Sequence, residues 1–389
     1  MNILRGKFIF LAAVLLFAVA ASGCGVFSTV AESLSDIAGL NQTGTVIAYR
    51  AQVRSSYAVV AADLLEVKRG QNLDILEELE FERVKWYRVR AYDEDKTEGW
   101  IEAQNVITGE LLEKSKKLAE EDKDLQSQAT GQLRAVSNLR LSPEQNPDNI
   151  LYKLENGATF DVINWKYVPK AQDASDVDDA NKAGERQSGG RQRSRNEELE
   201  AAKEENKPKD LEEVYDIWYK VRLDPSVSPA PAGWVFGRQV QLQVPIDIIF
   251  QQTGLKKFVT WQRLDNVDTN EKYSSKDSAK GSKPGSWVIL SRSNVVKSKG
   301  DGNEPDFDGI IVLGYDKYNE EHYSAYRIDG LWGEIPLKVE GAGDNKTFTV
   351  QLRNAAGQME EKRFTIVKDP KGRLRVTAPT DIFVDKNAR

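Results

Sequence analysis

The pentapeptides WYRVR (Trp86–Arg90) and WYKVR (Trp218–Arg222) are nearly identical and stand far apart in a chain of 389 residues. Three explanations are open at this point: chance, a repeated domain, or a repeated binding site. The sequences around the two pentapeptides decide between chance and repetition, because a duplicated domain also repeats its other strands in the same order.

Three further blocks recur in the same order around the pentapeptides. In chain order the matches are QVRSS (Gln52–Ser56) with NLRLS (Asn138–Ser142), VKRGQNLDIL (Val67–Leu76) with LENGATFDVI (Leu154–Ile163), and EGWIEAQNV (Glu98–Val106) with AGWVFGRQV (Ala232–Val240). Chance does not keep four blocks in register. The blocks consist of short alternating apolar runs separated by turn residues, so the sequence predicts a duplicated domain made of small β-strands.

This order of blocks resembles the bacterial SH3-like (SH3b) domain, whose final blocks read Trp-Tyr-Lys-Val and then Gly-Trp-Val. The resemblance covers residues 45–108 and again residues 131–243, and it implies two small SH3-like β-barrels in tandem. The Gly-Pro turn of the family's first block is absent from both copies. In the family, grooves on such barrels commonly recognise cell-wall peptides.

The large rings of the two copies are the candidate ligand-binding residues: Trp86, Tyr87, Trp100, Trp218, Tyr219 and Trp234. Alternation along a strand predicts that each Trp-Tyr pair sends one ring inward and the other outward. The tryptophan of each Gly-Trp pair either fills the core of a small barrel or lines a shallow groove for a peptide or glycan. Both interpretations remain open.

The second copy is interrupted by a long polar insertion at about residues 168–213. Gly157 and Trp218 are separated by many more residues than Gly70 and Trp86, and the extra sequence is nearly free of large apolar residues. Such a segment cannot bury enough surface to offset its chain entropy, so we predict that it is disordered. Because it enters just before the second pentapeptide, we expect the first copy to keep any family-like groove and the second to have altered or lost it.

Residues 109–130 are predicted to form a helical spacer between the copies. Leucines recur there every seven residues, but Ser115 and Asp122 between them are polar, which favours a helix leaning on one neighbouring domain over a coiled coil. Residues 254–389 again show alternating strands with turns between them. They predict a C-terminal antiparallel β-barrel or sandwich, with a lipocalin-like barrel preferred.

The amino terminus is predicted to be a signal peptide of residues 1–23. Basic residues precede the apolar run Phe8–Ala20, which is too short for a comfortable membrane span, and Ala-Ser-Gly then precedes Cys24. This ending resembles the lipobox of bacterial lipoproteins, which implies that Cys24, the single cysteine, carries acyl chains. Residues 24–44 would form a tether. With Gly25 after the cysteine, the resemblance implies an exported protein anchored in the outer membrane, facing the periplasm or the cell surface.

The sequence contains few of the residues and motifs that common enzyme active sites require. His322 is the single histidine, and the chain has neither a Gly-x-Ser-x-Gly elbow nor a phosphate-binding glycine loop. We therefore expect no catalytic residue, no cofactor and no metal, with His322 exposed or capping. The loop Asp301–Gly309 has oxygen ligands but lacks a calcium-loop spacing, so a polar turn is favoured. A hydrolase built on two carboxylates stays open as a third class.

These observations predict a non-enzymatic, lipid-anchored envelope protein whose SH3-like modules bind cell-wall peptide or glycan, or a partner protein. A formal net charge of -6 argues against nucleic acid as a partner. In the alternative interpretation the modules are structural spacers, and they display a C-terminal barrel that binds a small apolar ligand or a partner subunit.

Overall fold

The computed structural model describes residues 42–170, 209–252, 254–265, 284–298, 300–342 and 345–385. The chain divides into two compact units, residues 1–109 and residues 110–389. The fold is mainly β, as predicted, and the described residues form three antiparallel sheets of seven strands each. The predicted signal peptide, Cys24 and nearly all of the tether lie outside the described residues, as do residues 171–208 of the predicted insertion.

The described residues of the first unit form one sheet, with strand order β3-β2-β6-β5-β4-β1-β7. Its strands are β1 (Gln42–Val46), β2 (Arg50–Arg54), β3 (Asp63–Lys68), β4 (Asn72–Phe81), β5 (Val84–Ala91), β6 (Glu98–Glu102) and β7 (Val106–Thr108). The first pentapeptide forms most of the central strand β5. We call residues 42–108 the first module.

The second sheet has the order β10-β9-β13-β12-β11-β8-β14, which repeats the first strand for strand. Its strands are β8 (Ala129–Leu133), β9 (Ser137–Arg140), β10 (Ile150–Leu154), β11 (Thr159–Pro169), β12 (Tyr215–Arg222), β13 (Ala232–Phe236) and β14 (Val240–Leu242). We call residues 129–242 the second module. Helix α1 (Gly109–Glu121) precedes it, and the short helix α2 (Leu211–Val214) leads into β12. Single 3-10 turns occur at Ala103–Asn105, Pro147–Asn149, Gly237–Gln239 and Ile249–Gln251.

The two modules also share their strand register. Trp86 pairs with Glu102 as Trp218 pairs with Phe236, and a bulge interrupts the β4–β5 and β11–β12 ladders at the same place. The duplication predicted from the sequence is therefore confirmed at the level of strand order and pairing.

The recurring Gly-Trp pair has a steric cause. A Cβ atom added to Gly99 would lie 2.5 Å from the carbonyl oxygen of Arg54, and one added to Gly233 would lie 3.0 Å from that of Arg140. These are the points at which β6 meets β2 and β13 meets β9. A side chain at either glycine would push the two strands apart, so each module needs glycine there.

The third sheet is a meander whose order follows the chain, from β15 to β21. Its strands are β15 (Lys256–Arg263), β16 (Trp287–Ser293), β17 (Phe307–Asp316), β18 (Glu321–Ala342), β19 (Asn345–Arg353), β20 (Met359–Lys368) and β21 (Leu374–Thr377). In the described ranges, β21 does not pair back to β15. Phe307, Phe348 and Phe364 are fully buried in its core, and the rings of Phe348 and Phe364 stack with centroids 4.5 Å apart.

Helix α1 packs against the second module. Ser115 is fully buried, and its Oγ accepts a hydrogen bond from the Ala232 amide (3.1 Å) and donates one to the Ala232 carbonyl oxygen (2.5 Å). Lys220 of β12 is 7% exposed and ion-pairs with Glu121, the last residue of α1 (3.0 Å), and with Asp122, the residue after it (2.5 Å). The polar positions Ser115 and Asp122 are thus contacts with β-strands.

The second module and the C-terminal sheet are joined by hydrogen-bonded glutamines. Gln128 is fully buried, and its side-chain amide accepts from the Leu337 amide (2.8 Å) and donates to the Leu337 carbonyl oxygen (3.3 Å). Gln126 makes the same pair of bonds with Val339 at the surface. The two side chains therefore continue the hydrogen bonding of β18 as an added strand would.

Candidate ligand-binding sites

The Trp-Tyr pair of the first module is buried on both sides of its strand. Tyr87 belongs to the hydrophobic core together with Val89 and Ala91, so the inward ring is the tyrosine. Trp86 projects from the opposite face, but it is only 6% exposed, the same fraction as Tyr87. Neither ring therefore presents a broad surface to a ligand.

Three other rings form a partly exposed cluster on the first module, which we call the Tyr57 ring cluster. The Tyr57 centroid lies 5.0 Å from that of Phe81 and 5.2 Å from that of Trp100, and the Tyr57 and Trp100 planes are nearly perpendicular. Phe81 is 38% exposed. Of these three rings, sequence reasoning found only Trp100. The missed signal was an aromatic residue at the end of β4, Phe81, and another shortly after β2, Tyr57.

The second module has a groove of about 380 Å³ at the corresponding face, which we call the Trp218 groove. Trp218 is 1% exposed, and its ring lies 5.1 Å from that of Phe236 and 6.0 Å from the Arg140 guanidinium. Lys153 also lines the groove. Phe236 occupies the register position of Glu102, so this face differs chemically from its counterpart.

Trp234 stands at the register position of Trp100, and both rings are half-buried. Trp234 pairs across the sheet with Lys220, the residue that binds the acidic end of α1. In the first module Trp100 pairs with Arg88, which ion-pairs with Glu98 at the surface. Part of the second module's outer face is therefore occupied by the chain's own helix.

The β11–β12 hairpin carries rings where the β4–β5 hairpin carries charges. Trp165 and Tyr167 take the register positions of Glu78 and Glu80. In the first module Glu78 forms an exposed ion pair with Lys85 at 2.6 Å.

In the second module the same hairpin contacts the C-terminal sheet. Trp165 Nε1 donates to Asp306 (2.6 Å), and Tyr215 donates to Glu304 (3.1 Å). The Tyr167 hydroxyl accepts from Arg292, whose guanidinium lies over the Tyr167 ring. One hairpin face has thus become an intramolecular docking surface.

The acidic loop Asp301–Gly309 supplies the carboxylates of this docking surface. Burial raises the pKa of Asp306 to about 6, although the Ile335 amide and the Trp165 indole stabilise its charged form. Burial also lowers the pKa of Arg292 to about 10, against the opposing effect of the nearby carboxylates. Glu304 and Asp308 accept hydrogen bonds from Ser298 and Ser293. Among the described residues, no group of three or more His, Cys, Asp or Glu side chains is arranged to hold a metal ion.

His322 is not exposed, so the first of the two predicted roles, an exposed histidine, is wrong. Its Nε2 lies 2.9 Å from the Gly285 carbonyl oxygen and 3.6 Å from an Asp247 carboxylate oxygen, and the side chain is 9% exposed. Burial raises the pKa of Asp247, but hydrogen bonds from His322, Trp287 and the Gly285 amide outweigh burial and hold it below its ordinary value. The pair fastens the segment before β15 to the C-terminal sheet.

A second cavity, of about 430 Å³, lies where the second module meets the start of β15. We call it the Tyr219 cavity. Its wall includes Tyr219, Ile217 and Phe258, and its rim includes Arg134 and Arg238. Burial raises the pKa of Tyr219 to about 12, with a smaller contribution from the Glu212 carboxylate. Tyr219 pairs with Val235 as Tyr87 pairs with Ile101, so the two tyrosines are equivalent.

The chain matches no protein-family model, and no curated protein matches it significantly. Across the described ranges, none of the helices has both the length and the apolar character that a membrane crossing requires.

Proposed function

We propose that this is a non-enzymatic envelope protein, anchored by lipid at Cys24, whose modules bind cell-wall peptide or glycan through their outward rings. In this proposal the modules are SH3-like barrels and α1 is the spacer between them. The observation that carries it is the presence of clustered rings on the same face of both repeats, the Tyr57 ring cluster and the Trp218 groove.

The chemistry of the two faces suits a wall ligand. Aromatic rings stack against the apolar faces of sugars and the side chains of peptides, and they lose little conformational entropy when they bind. The cations Arg140 and Lys153 beside Trp218 supply donors for the carboxylates of a wall peptide. Two weak sites on one chain, held near the wall by an anchor, bind more tightly than either alone.

Retention of the full chain on purified peptidoglycan tests the proposal. The first-module variant carries Tyr57→Ala and Phe81→Ala, and the second-module variant carries Lys153→Ala and Phe236→Ala. Each pair should weaken retention about tenfold, because partly exposed rings and neighbouring cations supply the contacts. Tyr49→Ala is the control, since Tyr49 is 72% exposed and lies outside the cluster. Failure of the wild-type chain to bind, or equal binding by all variants, overturns wall recognition.

The lipid anchor has its own test. A Cys24→Ser chain should no longer take up labelled fatty acid and should leave the membrane fraction of cells that express it. Incorporation of label by the serine variant would contradict attachment at Cys24.

The alternative function is favoured by the docking of the second module. Because Trp165, Tyr167 and Tyr215 bind the C-terminal sheet, the second module can serve as a support that displays this sheet to a partner subunit. The sheet would then be part of a lipocalin-like barrel or a sandwich, with an apolar ligand as the other possible occupant. Retention on peptidoglycan that requires only the first-module rings would favour this role for the second module.

A further inference from the structure

We propose that the Tyr219 cavity binds an amphipathic anion, an apolar chain or ring system bearing one carboxylate or phosphate group. The proposal is independent of wall binding. It rests on the lining of the cavity and on how this place differs between the two repeats.

Part of the cavity wall is apolar and aromatic. Ile217, Tyr219 and Leu242 contribute from the second module, and Phe258 contributes from β15. A volume of about 430 Å³ falls in the range of small-molecule sites, and the lining combines these apolar side chains with charged and amide ones. The apolar part of a ligand would lie against these side chains.

The rim of the cavity carries more positive than negative charge. Arg134, Arg238 and Lys257 line it, together with the carboxylates Glu212 and Asp216. Lys257 faces Glu212 at 3.8 Å, which leaves Asp216 against two guanidinium groups. One guanidinium nitrogen of Arg134 donates two long hydrogen bonds (3.4 Å), to the carbonyl oxygens of Arg238 and Val240. Among the described residues, no carboxylate ion-pairs with Arg134 or Arg238, so both can receive an anion.

The tyrosine hydroxyl offers a third polar group. In the first module the Lys85 ammonium lies over the Tyr87 ring, 5.6 Å from its centroid, and its charge opposes the burial that raises the pKa of Tyr87. The second module has Ile217 at the register position of Lys85. Within the described part of the chain the Tyr219 hydroxyl has no hydrogen-bond partner. A ligand that hydrogen-bonds this hydroxyl would gain the modest net free energy of one hydrogen bond.

One further substitution distinguishes the repeats here. Ile47 of the first module and Arg134 of the second are equivalent positions, since each directly follows the first strand of its module. Their backbone amides donate to equivalent carbonyl oxygens, those of Asn105 and Gln239. Ile47 is 6% exposed, whereas its counterpart Arg134 is an exposed cation at the cavity rim. The first module thus has its cation, Lys85, beside the tyrosine ring. The second module has its cation, Arg134, at the cavity rim.

Isothermal titration calorimetry of the full chain tests the proposal with four probes below their micelle concentrations. Dodecanoate and dodecyl phosphate carry both an apolar chain and an anionic group, and comparing them distinguishes the carboxylate from the phosphate. Dodecyltrimethylammonium keeps the chain and reverses the charge, and inorganic phosphate lacks the chain. We expect saturable binding of at least one of the first two and no binding of the other two.

Variants then locate the site. Tyr219→Phe removes only the hydroxyl and should weaken binding about fivefold, the value of one net hydrogen bond. Arg134→Ala with Arg238→Ala should weaken it about tenfold or more. The matched controls are Tyr87→Phe for the hydroxyl, and Arg50→Ala with Arg375→Ala, which removes the same charge from exposed ion pairs elsewhere. Circular dichroism confirms that each variant is folded.

Three results overturn the proposal. They are an absence of binding by both anionic detergents, equally tight binding of the cationic detergent, and affinities that fall no further in the cavity variants than in the matched controls.

Discussion

The indole Nε1 of Trp165 donates a 2.6 Å hydrogen bond to Asp306 Oδ1, while the Ile335 amide donates a 3.0 Å bond to Oδ2. This contact joins β11 of the second module to the residue that precedes β17. A carboxylate enclosed in this way is costly to ionise, since neutral donors replace water only in part. We therefore expect the stability of the junction between the second module and the C-terminal sheet to depend on pH.

Asp306 should make the second unit less stable as the pH rises from about 4 to about 6. Its folded pKa of about 6 lies above the ordinary value of 3.8, so the contribution is fully present below about pH 4 and lost as the pH passes 6. The total is about 3 kcal/mol. Asp306→Asn should flatten the pH dependence of the urea midpoint over this range. The exposed Asp301 of the same loop provides the control, and an unchanged slope in Asp306→Asn would refute the assignment.

Gln128→Ala should destabilise the second unit by about 2–4 kcal/mol, because it leaves the buried amide and carbonyl of Leu337 without their partners. Gln126→Ala removes the same pair of bonds from Val339 at the exposed surface, where water replaces them. It should cost about 0.5 kcal/mol or less. Urea unfolding of the two variants measures the difference. Equal losses would show that burial is not what matters at Gln128.

Ser115→Ala should detach helix α1 from the second module more readily. The serine hydroxyl is buried and bonds both the amide and the carbonyl of Ala232, and its loss should cost about 1–3 kcal/mol. Hydrogen–deuterium exchange of the α1 amides measures the effect. Lys116→Ala on the exposed face, which breaks only a surface pair with Glu113, should leave the exchange nearly unchanged. Protection that is identical in both variants would contradict this anchoring.

Asp247→Asn should weaken the attachment of the segment before β15. The folded pKa of Asp247 is depressed, so its contribution to stability is present above pH 4 and is lost as the pH falls through the folded pKa. At pH 7 the substitution should cost about 1.5–3 kcal/mol, the range for hydrogen bonds to a charged group. Urea titrations at pH 7 and pH 3 measure the loss. A loss as large at pH 3 would indicate packing and not charge as the cause.

The repeat could be predicted from the sequence because its signals are local. Gly99 and Gly233 are required by close strand contacts, and the turn residues Gly70 and Gly157 have φ values of 84° and 82°. Requirements of this kind must recur in every copy of the fold, so they survive as visible matches. The exposure of Trp86 was harder to foresee, because alternation gives the direction of a side chain and not what covers it.

The docking of the second module could not be derived from local pattern. Trp165 and Tyr167 lie more than a hundred residues before Arg292 and Asp306, and no sequence pattern in either segment indicates that the two are in contact. A comparison of the two copies does indicate that the second hairpin is covered. The first hairpin has glutamates where the second has rings, and rings on an exposed hairpin of a polar protein imply a surface that covers them.

In each module the first strand pairs with the last, β1 with β7 and β8 with β14. The chain therefore enters and leaves each module at adjacent points. A whole module is then a self-contained cassette whose two ends lie side by side. Such a cassette can be copied in line with little loop-closure cost to the rest of the fold. Two copies of one fold can carry different surfaces, and here the second has an aromatic hairpin that binds the sheet following it where the first has a charged one.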